Sequence, residues 1–92
     1  MIQGFRDAAT ERLWQGELVK HFAGLRKFAL RKLDMMHAAA TLNDLRSPPG
    51  NRLEALAGDR AGQHSIRIND QFRICFVWTE KGPAQIEIVD YH

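Results

Sequence analysis

His64-Ser65-Ile66-Arg67-Ile68-Asn69-Asp70-Gln71-Phe72-Arg73-Ile74-Cys75-Phe76-Val77-Trp78 is the stretch that decides the fold. His64, Ile66 and Ile68 alternate with Ser65, Arg67 and Asn69. After Asn69-Asp70-Gln71, Phe72, Ile74, Phe76 and Trp78 alternate with Arg73, Cys75 and Val77. Side chains of a strand point to opposite faces in turn, so period two marks strands with one buried face. Asn-Asp-Gln is a tight-turn signal, and the two runs read as a hairpin.

Working outward, Ile86 and Ile88 alternate with Glu87 and Val89 after the turn residues Glu80-Lys81-Gly82-Pro83, which gives a third strand. Leu53 to Leu56 can add a short strand before the turn Gly58-Asp59-Arg60-Ala61-Gly62. Upstream the period changes. Phe22, Leu25, Phe28, Ala29, Leu33 and Met36 recur at spacings of three and four, which predicts a helix over Phe22 to Ala39 with this stripe inward. Asp7 is a plausible N-cap for an earlier helix, Ala8 to Trp14, which Gly16 interrupts. Ile2 to Phe5 reads as a short opening strand, and residues 17–21 fit either a loop or a lead-in to the second helix. Thr41 to Leu45 suggests a helical turn. Arg46-Ser47-Pro48-Pro49-Gly50-Asn51 must be a loop, because consecutive prolines remove backbone donors and fix φ. Helices followed by an antiparallel meander define an α+β fold, with N-terminal helices packed on one face of a small, twisted, mostly antiparallel sheet.

At 92 residues the chain is expected to form one domain, residues 1–92, around one modest core. Hydrophobic residues at 45% and charged residues at 26% are ordinary for a folded protein, and a net charge of +2 is too small to identify a nucleic-acid partner. Cys75 is the only cysteine, so no internal disulfide forms, which fits a reducing compartment. No apolar run has the length of a signal peptide or a bilayer span, so a cytoplasmic protein with no membrane partner is expected.

His21, His37, His64 and His92 lack HExxH spacing and have no CxxC partner, so no metal site is expected. Three features remain. Asp90-Tyr91-His92 combines an acid/base pair with an aromatic ring at the end of the last strand, and histidine exchanges protons near neutral pH. Alternation sets Asp90 and His92 on one side and Tyr91 on the other. Taken by itself the triplet is more simply a polar strand end. Arg73 lies on the strand face opposite Phe72 and Ile74, where it can stabilise charge on a phosphate or serve as a cross-strand partner for Arg67 or Glu87. Arg26, Lys27, Arg31, Lys32, Arg46, Arg52, Arg60 and Arg67 form a basic set that can track a phosphate backbone or simply be solvated. Phe22, Phe28, Phe72, Phe76 and Trp78 fall on apolar stripes and read as core.

Arg52 to Gly62, Ser65 to Phe76 and Glu87 to His92 together resemble the HigB toxins of the RelE/ParE superfamily of small α+β toxins. The resemblance covers nearly the whole chain and is most specific from Asp44 to His92. It implies a compact, metal-independent ribonuclease, without a cofactor, that enters the ribosomal A site and cuts mRNA. It also implies a HigA-type helix-turn-helix antitoxin as partner, with operator DNA reached indirectly through the antitoxin complex. Catalytic roles carry over to Arg73, Asp90, Tyr91 and His92, while the basic set stays a candidate for RNA or ribosome binding on its charge alone. Glu54 stands where some members have a histidine, Ala57 where a lysine occurs, and Gln71 where an asparagine occurs. A carboxylate at position 54 can act as a base, but it repels the phosphate that a histidinium would attract. The alternative within the superfamily is a ParE-like toxin that acts by binding a target such as gyrase, without catalysis.

Overall fold

The computed structural model describes residues 1–90; Tyr91 and His92 lie outside the described residues. Two helices, α1 (Ala8–Trp14) and α2 (Arg26–Ala38), precede four strands, β1 (Glu54–Ala55), β2 (His64–Arg67), β3 (Phe72–Thr79) and β4 (Gly82–Asp90). The strands form one antiparallel sheet in the order β1-β2-β3-β4. This is the α+β architecture read from the sequence.

The hairpin register follows from its turn. The side chain of Asn69 accepts from the backbone N–H groups of Gln71 and Phe72, at 2.9 and 2.7 Å, which closes the connection. Ile66 then lies opposite Ile74, and Ile74 opposite Ile88, so three isoleucines form one row across the sheet. Residues directly opposite share a face, and this row lies in the core, with Ile66 and Ile74 fully buried. Against it pack Leu13 of α1 and Ala29, Leu33 and Met36 of α2.

Asp7 caps α1, its carboxylate accepting from the N–H of Thr10 at 3.3 Å, as expected. The buried Thr10 hydroxyl in turn accepts from the N–H of Ile88, 3.2 Å away, and ties the helix to β4. The second helix is shorter than its apolar stripe implied. It begins at Arg26, and Phe22 sits instead in a separate 3-10 turn over Lys20–Phe22. Phe22 and Leu25 are still buried, so the stripe holds while the backbone changes winding before Gly24. Phe28 is 50% exposed and does not join the core. It lies one residue, about 100°, round the helix from Ala29, off the edge of the Ala29-Leu33-Met36 face.

The turn after β3 is also tighter than expected. Gly82 and Pro83 belong to β4, opposite Thr79 and Trp78. Gly82 has φ of 129°, and a β-carbon built there would lie 2.2 Å from the Met1 carbonyl oxygen, so only glycine admits the N-terminal segment at this point. That segment does not form a regular strand. It runs parallel to β4 through a single bridge, Phe5 to Ile86, with hydrogen bonds from Gln3 to Pro83, from Ile86 to Gly4 and from Arg6 to Ile86. A bulge makes this possible. Between the pairs Cys75–Glu87 and Val77–Ala84 strand β4 has one extra residue, Gln85 has φ of 51°, and Ile86 turns its backbone outward to the N-terminal segment. The exposed edge of β4 is thereby covered, and the opposite edge is only the two-residue β1.

Thr41 and Asp44 form a reciprocal capping box on the 3-10 turn Leu42–Arg46. The proline loop contains a second short 3-10 turn, Pro49–Asn51, and a cis peptide at Ser47-Pro48. Asn51, within it, is fully buried. Its amide donates to the carbonyls of Leu45 and Ser47, at 3.1 and 3.3 Å, and its Oδ1 accepts from the Lys32 ammonium at 2.5 Å. One asparagine thus fastens the loop onto α2. No helix among the described residues is long and apolar enough to cross a membrane.

Candidate active site

The helices cover only one face of the sheet. On the other, the register places Glu54, Ser65, Cys75 and Glu87 in one row, with Arg67, Arg73 and Val89 in the next. Arg67 and Arg73 are direct cross-strand neighbours, an arrangement that repels unless the side chains diverge. They do. Arg67 pairs with Asp70 in the hairpin turn, whereas Arg73 reaches diagonally back over β2.

Arg73 is held closely there. Its Nε donates to the Ser65 hydroxyl at 2.8 Å, and its Nη2 donates to the Arg52 carbonyl at 2.7 Å and to the Ser65 carbonyl at 3.4 Å. The Glu54 carboxylate lies 3.5 Å from the same Nη2. The Arg73 side chain is only 11% exposed, while that of Glu54 is half exposed. Arg52 can present its carbonyl because it takes a left-handed conformation, φ 46°, directly after Asn51. Arg73 and Glu54, both named as candidates from the sequence, are thus brought together on this face.

A second charged group lies across the row. Arg60 Nη1 donates to Glu87 at 3.1 Å and to the side chain of Gln63 at 3.0 Å, and Arg6 lies 3.9 Å from the same Glu87 oxygen. Cys75 is buried between these groups and Arg73. Burial pushes its thiol above the usual range; Arg60, Arg73 and Arg6 pull it down, and Glu87 pushes it up. A thiol held protonated is a poor nucleophile, in keeping with a structural cysteine.

Asp90 pairs with Phe72 at the end of β4 and accepts from the Gln71 amide at 3.0 Å. It therefore stands at the rim on the helix side of the sheet, not on the face that carries Arg73. Tyr91 and His92 lie outside the described residues.

The basic set is dispersed. Arg26 donates to the carbonyls of Glu17 and Gly16, 2.9 and 3.3 Å away, and so fastens the loop after α1. Arg46 donates to Asn43 at 2.8 Å. Lys27 and Arg31 are exposed on α2, and Arg52 is exposed beside Arg73. Lys32 is partly buried against Asn51. Its ammonium is held below its ordinary value first by desolvation, then by Arg31 and Arg67. Arg31 and Arg67 thus both lie near enough to Lys32 to act on its charge.

Ser65, Asn51, Glu87 and Arg6 were not singled out by sequence. Ser65 was within reach of it: once the Asn-Asp-Gln turn sets the register, Ser65 must lie beside Arg73 on the helix-free face.

The fold and sequence match known toxins. A family model described as the RelE-like toxin of type II toxin-antitoxin system HigB matches residues 3–92. Toxin HigB-1 of Vibrio cholerae serotype O1 is 36% identical over 94 residues, covering 100% of this chain and 98% of that one. An uncharacterized protein of Haemophilus influenzae is 42% identical over 74 residues, 78% of this chain and 73% of that protein. Among solved structures, the YoeB-YefM complex from Staphylococcus aureus matches with a TM-score of 0.62 at 19% identity, covering 100% of this chain and 98% of that chain, a likeness of fold. The chain belongs to the HigB-like family of RelE-like toxins of type II toxin-antitoxin systems.

Proposed function

We propose that this toxin is a ribosome-dependent mRNA endonuclease, neutralised by a HigA-type antitoxin. The observation that carries the reading is the braced Arg73 on the helix-free face of a HigB-like fold. A guanidinium presented from a rigid central strand stabilises the charge that develops on a phosphate under attack.

The reaction is a metal-independent transesterification. A base removes the proton of an mRNA 2′-hydroxyl, the oxygen attacks the adjacent phosphorus, and the P–O5′ bond breaks. An acid protonates the leaving 5′-oxygen, so the products are a 2′,3′-cyclic phosphate and a 5′-hydroxyl. His92 or Asp90 handles proton transfer, Asp90 from the rim of the sheet rather than from the face that carries Arg73, with Glu54 as a further proton-transfer group beside Arg73. Tyr91 stacks on or orients a base. These are few groups with ordinary side chains, so the ribosome supplies much of the alignment, which accounts for a large part of such rates. Lys27, Arg31 and Arg67 are suited to the surrounding RNA backbone.

An antitoxin partner is supported by the family and by the toxin-antitoxin complex whose fold this chain shares. The test is induction of the chain in growing cells with mapping of new mRNA ends. In-frame cuts that vanish with Arg73→Ala or His92→Gln bear the proposal out. DNA-damage signalling without mRNA cuts would instead indicate a ParE-like binding toxin.

A further inference from the structure

We infer that Ser65 is a positioning residue for Arg73, an assignment that rests on the cleavage reaction above. Ser65 is a fully buried polar residue, which is costly unless its hydrogen bonds are met. Its hydroxyl accepts from Arg73 Nε at 2.8 Å, and its own carbonyl lies 3.4 Å from Nη2. The Arg52 carbonyl accepts from Nη2 at 2.7 Å from another segment. A guanidinium is planar, and acceptors on two of its nitrogens fix both its position and the tilt of its plane.

The brace also explains the direction Arg73 takes. Extended straight across the sheet, its head would meet Arg67, its direct cross-strand neighbour. Glu54 is half exposed and 3.5 Å away, so it attracts without fixing an angle. Ser65 supplies a short directed acceptor from a rigid strand. The Arg52 carbonyl is held as firmly, because Asn51 anchors the preceding residues to Leu45, Ser47 and Lys32. Ser65 touches neither mRNA nor the reacting phosphate in this scheme; it acts through Arg73.

The test uses the full chain on purified ribosomes carrying mRNA in the A site. Ser65→Ala is expected to slow single-turnover cleavage roughly tenfold or more while leaving toxin–ribosome affinity unchanged, because misplacement of a charge-stabilising group affects the chemical step. Ser65→Thr, which keeps the hydroxyl, restores most of the rate. In ¹⁵N spectra the Arg73 Nε–H, identified by its loss in Arg73→Lys, exchanges faster with water in Ser65→Ala than in the unaltered chain. A normal cleavage rate in Ser65→Ala, with Arg73→Ala inactive, overturns this assignment alone. Unchanged Nε–H exchange in Ser65→Ala overturns it as well. If Arg73→Ala itself cleaves, the proposed function falls and this assignment falls with it.

Discussion

Arg73 donates from its Nη2 to the main-chain carbonyl of Arg52, 2.7 Å away, so two arginines are joined through a backbone oxygen. The contact links the central strand to the proline loop. It makes the guanidinium dependent on that loop's conformation, and it predicts that a lysine will not replace Arg73. An ammonium is a compact charge without the flat fork that meets Ser65 and Arg52 together. Arg73→Lys is expected to bind ribosomes normally and to lose most cleavage, measured as single-turnover rate and affinity on the same preparation.

Asn51 is the fastening of that loop. Asn51→Ala removes a buried amide that serves two carbonyls and the Lys32 ammonium. A loss of about 2–3 kcal/mol in unfolding free energy is expected, from polar groups left unpaired in the interior. Urea denaturation checks it. Asn51→Asp should be no better, since a carboxylate would face the Leu45 and Ser47 carbonyls with no donor to offer.

Glu54 has two possible effects of opposite sign. As a proton-transfer group it speeds cleavage; as an ion-pair partner 3.5 Å from Arg73 it competes with the incoming phosphate. The account predicts that Glu54→Gln lowers the cleavage rate, by tenfold or more if proton transfer is worth its usual amount. A faster Glu54→Gln variant would show that Glu54 restrains Arg73.

Cys75 gives a pH dependence. Burial raises its thiol in the folded chain, so on a rise in pH the unfolded chain loses this proton first. The sulfur's contribution to stability is therefore full below the unfolded value, about 8.5, and declines above it. The destabilisation caused by Cys75→Ala should accordingly be smaller at alkaline pH than at neutral pH, by urea midpoints. In the folded chain the thiol should react with alkylating reagents only slowly.

Much of this was legible in the residues, for identifiable reasons. The period-two stretches on either side of Asn69-Asp70-Gln71 determined the strands, and the turn chemistry determined which residues face each other. Asp7 marked the start of α1 because a short acceptor side chain satisfies the first free N–H groups of a helix. The true start of α2 was obscured because Phe22 is as buried as a helical residue would be while its backbone is wound differently. The spacing points Phe28 inward because it reports a stripe but not its width. The brace on Arg73 was harder to foresee. Its acceptor from Arg52 is a main-chain atom, and its orientation depends on a left-handed residue and a buried asparagine in a loop whose pattern shows only proline. The catalytic reading of Asp90-Tyr91-His92 rests on resemblance, and of the three the structure describes Asp90 alone, at the rim.

The most direct test of the central claim is single-turnover cleavage of mRNA on purified ribosomes by the full chain and by Arg73→Ala. The account predicts A-site fragments ending in a 2′,3′-cyclic phosphate and beginning with a 5′-hydroxyl, formed about a hundredfold or more faster by the unaltered chain, as expected on removing a charge-stabilising donor. Equal rates for the two proteins, or no cleavage by the unaltered chain, would contradict it.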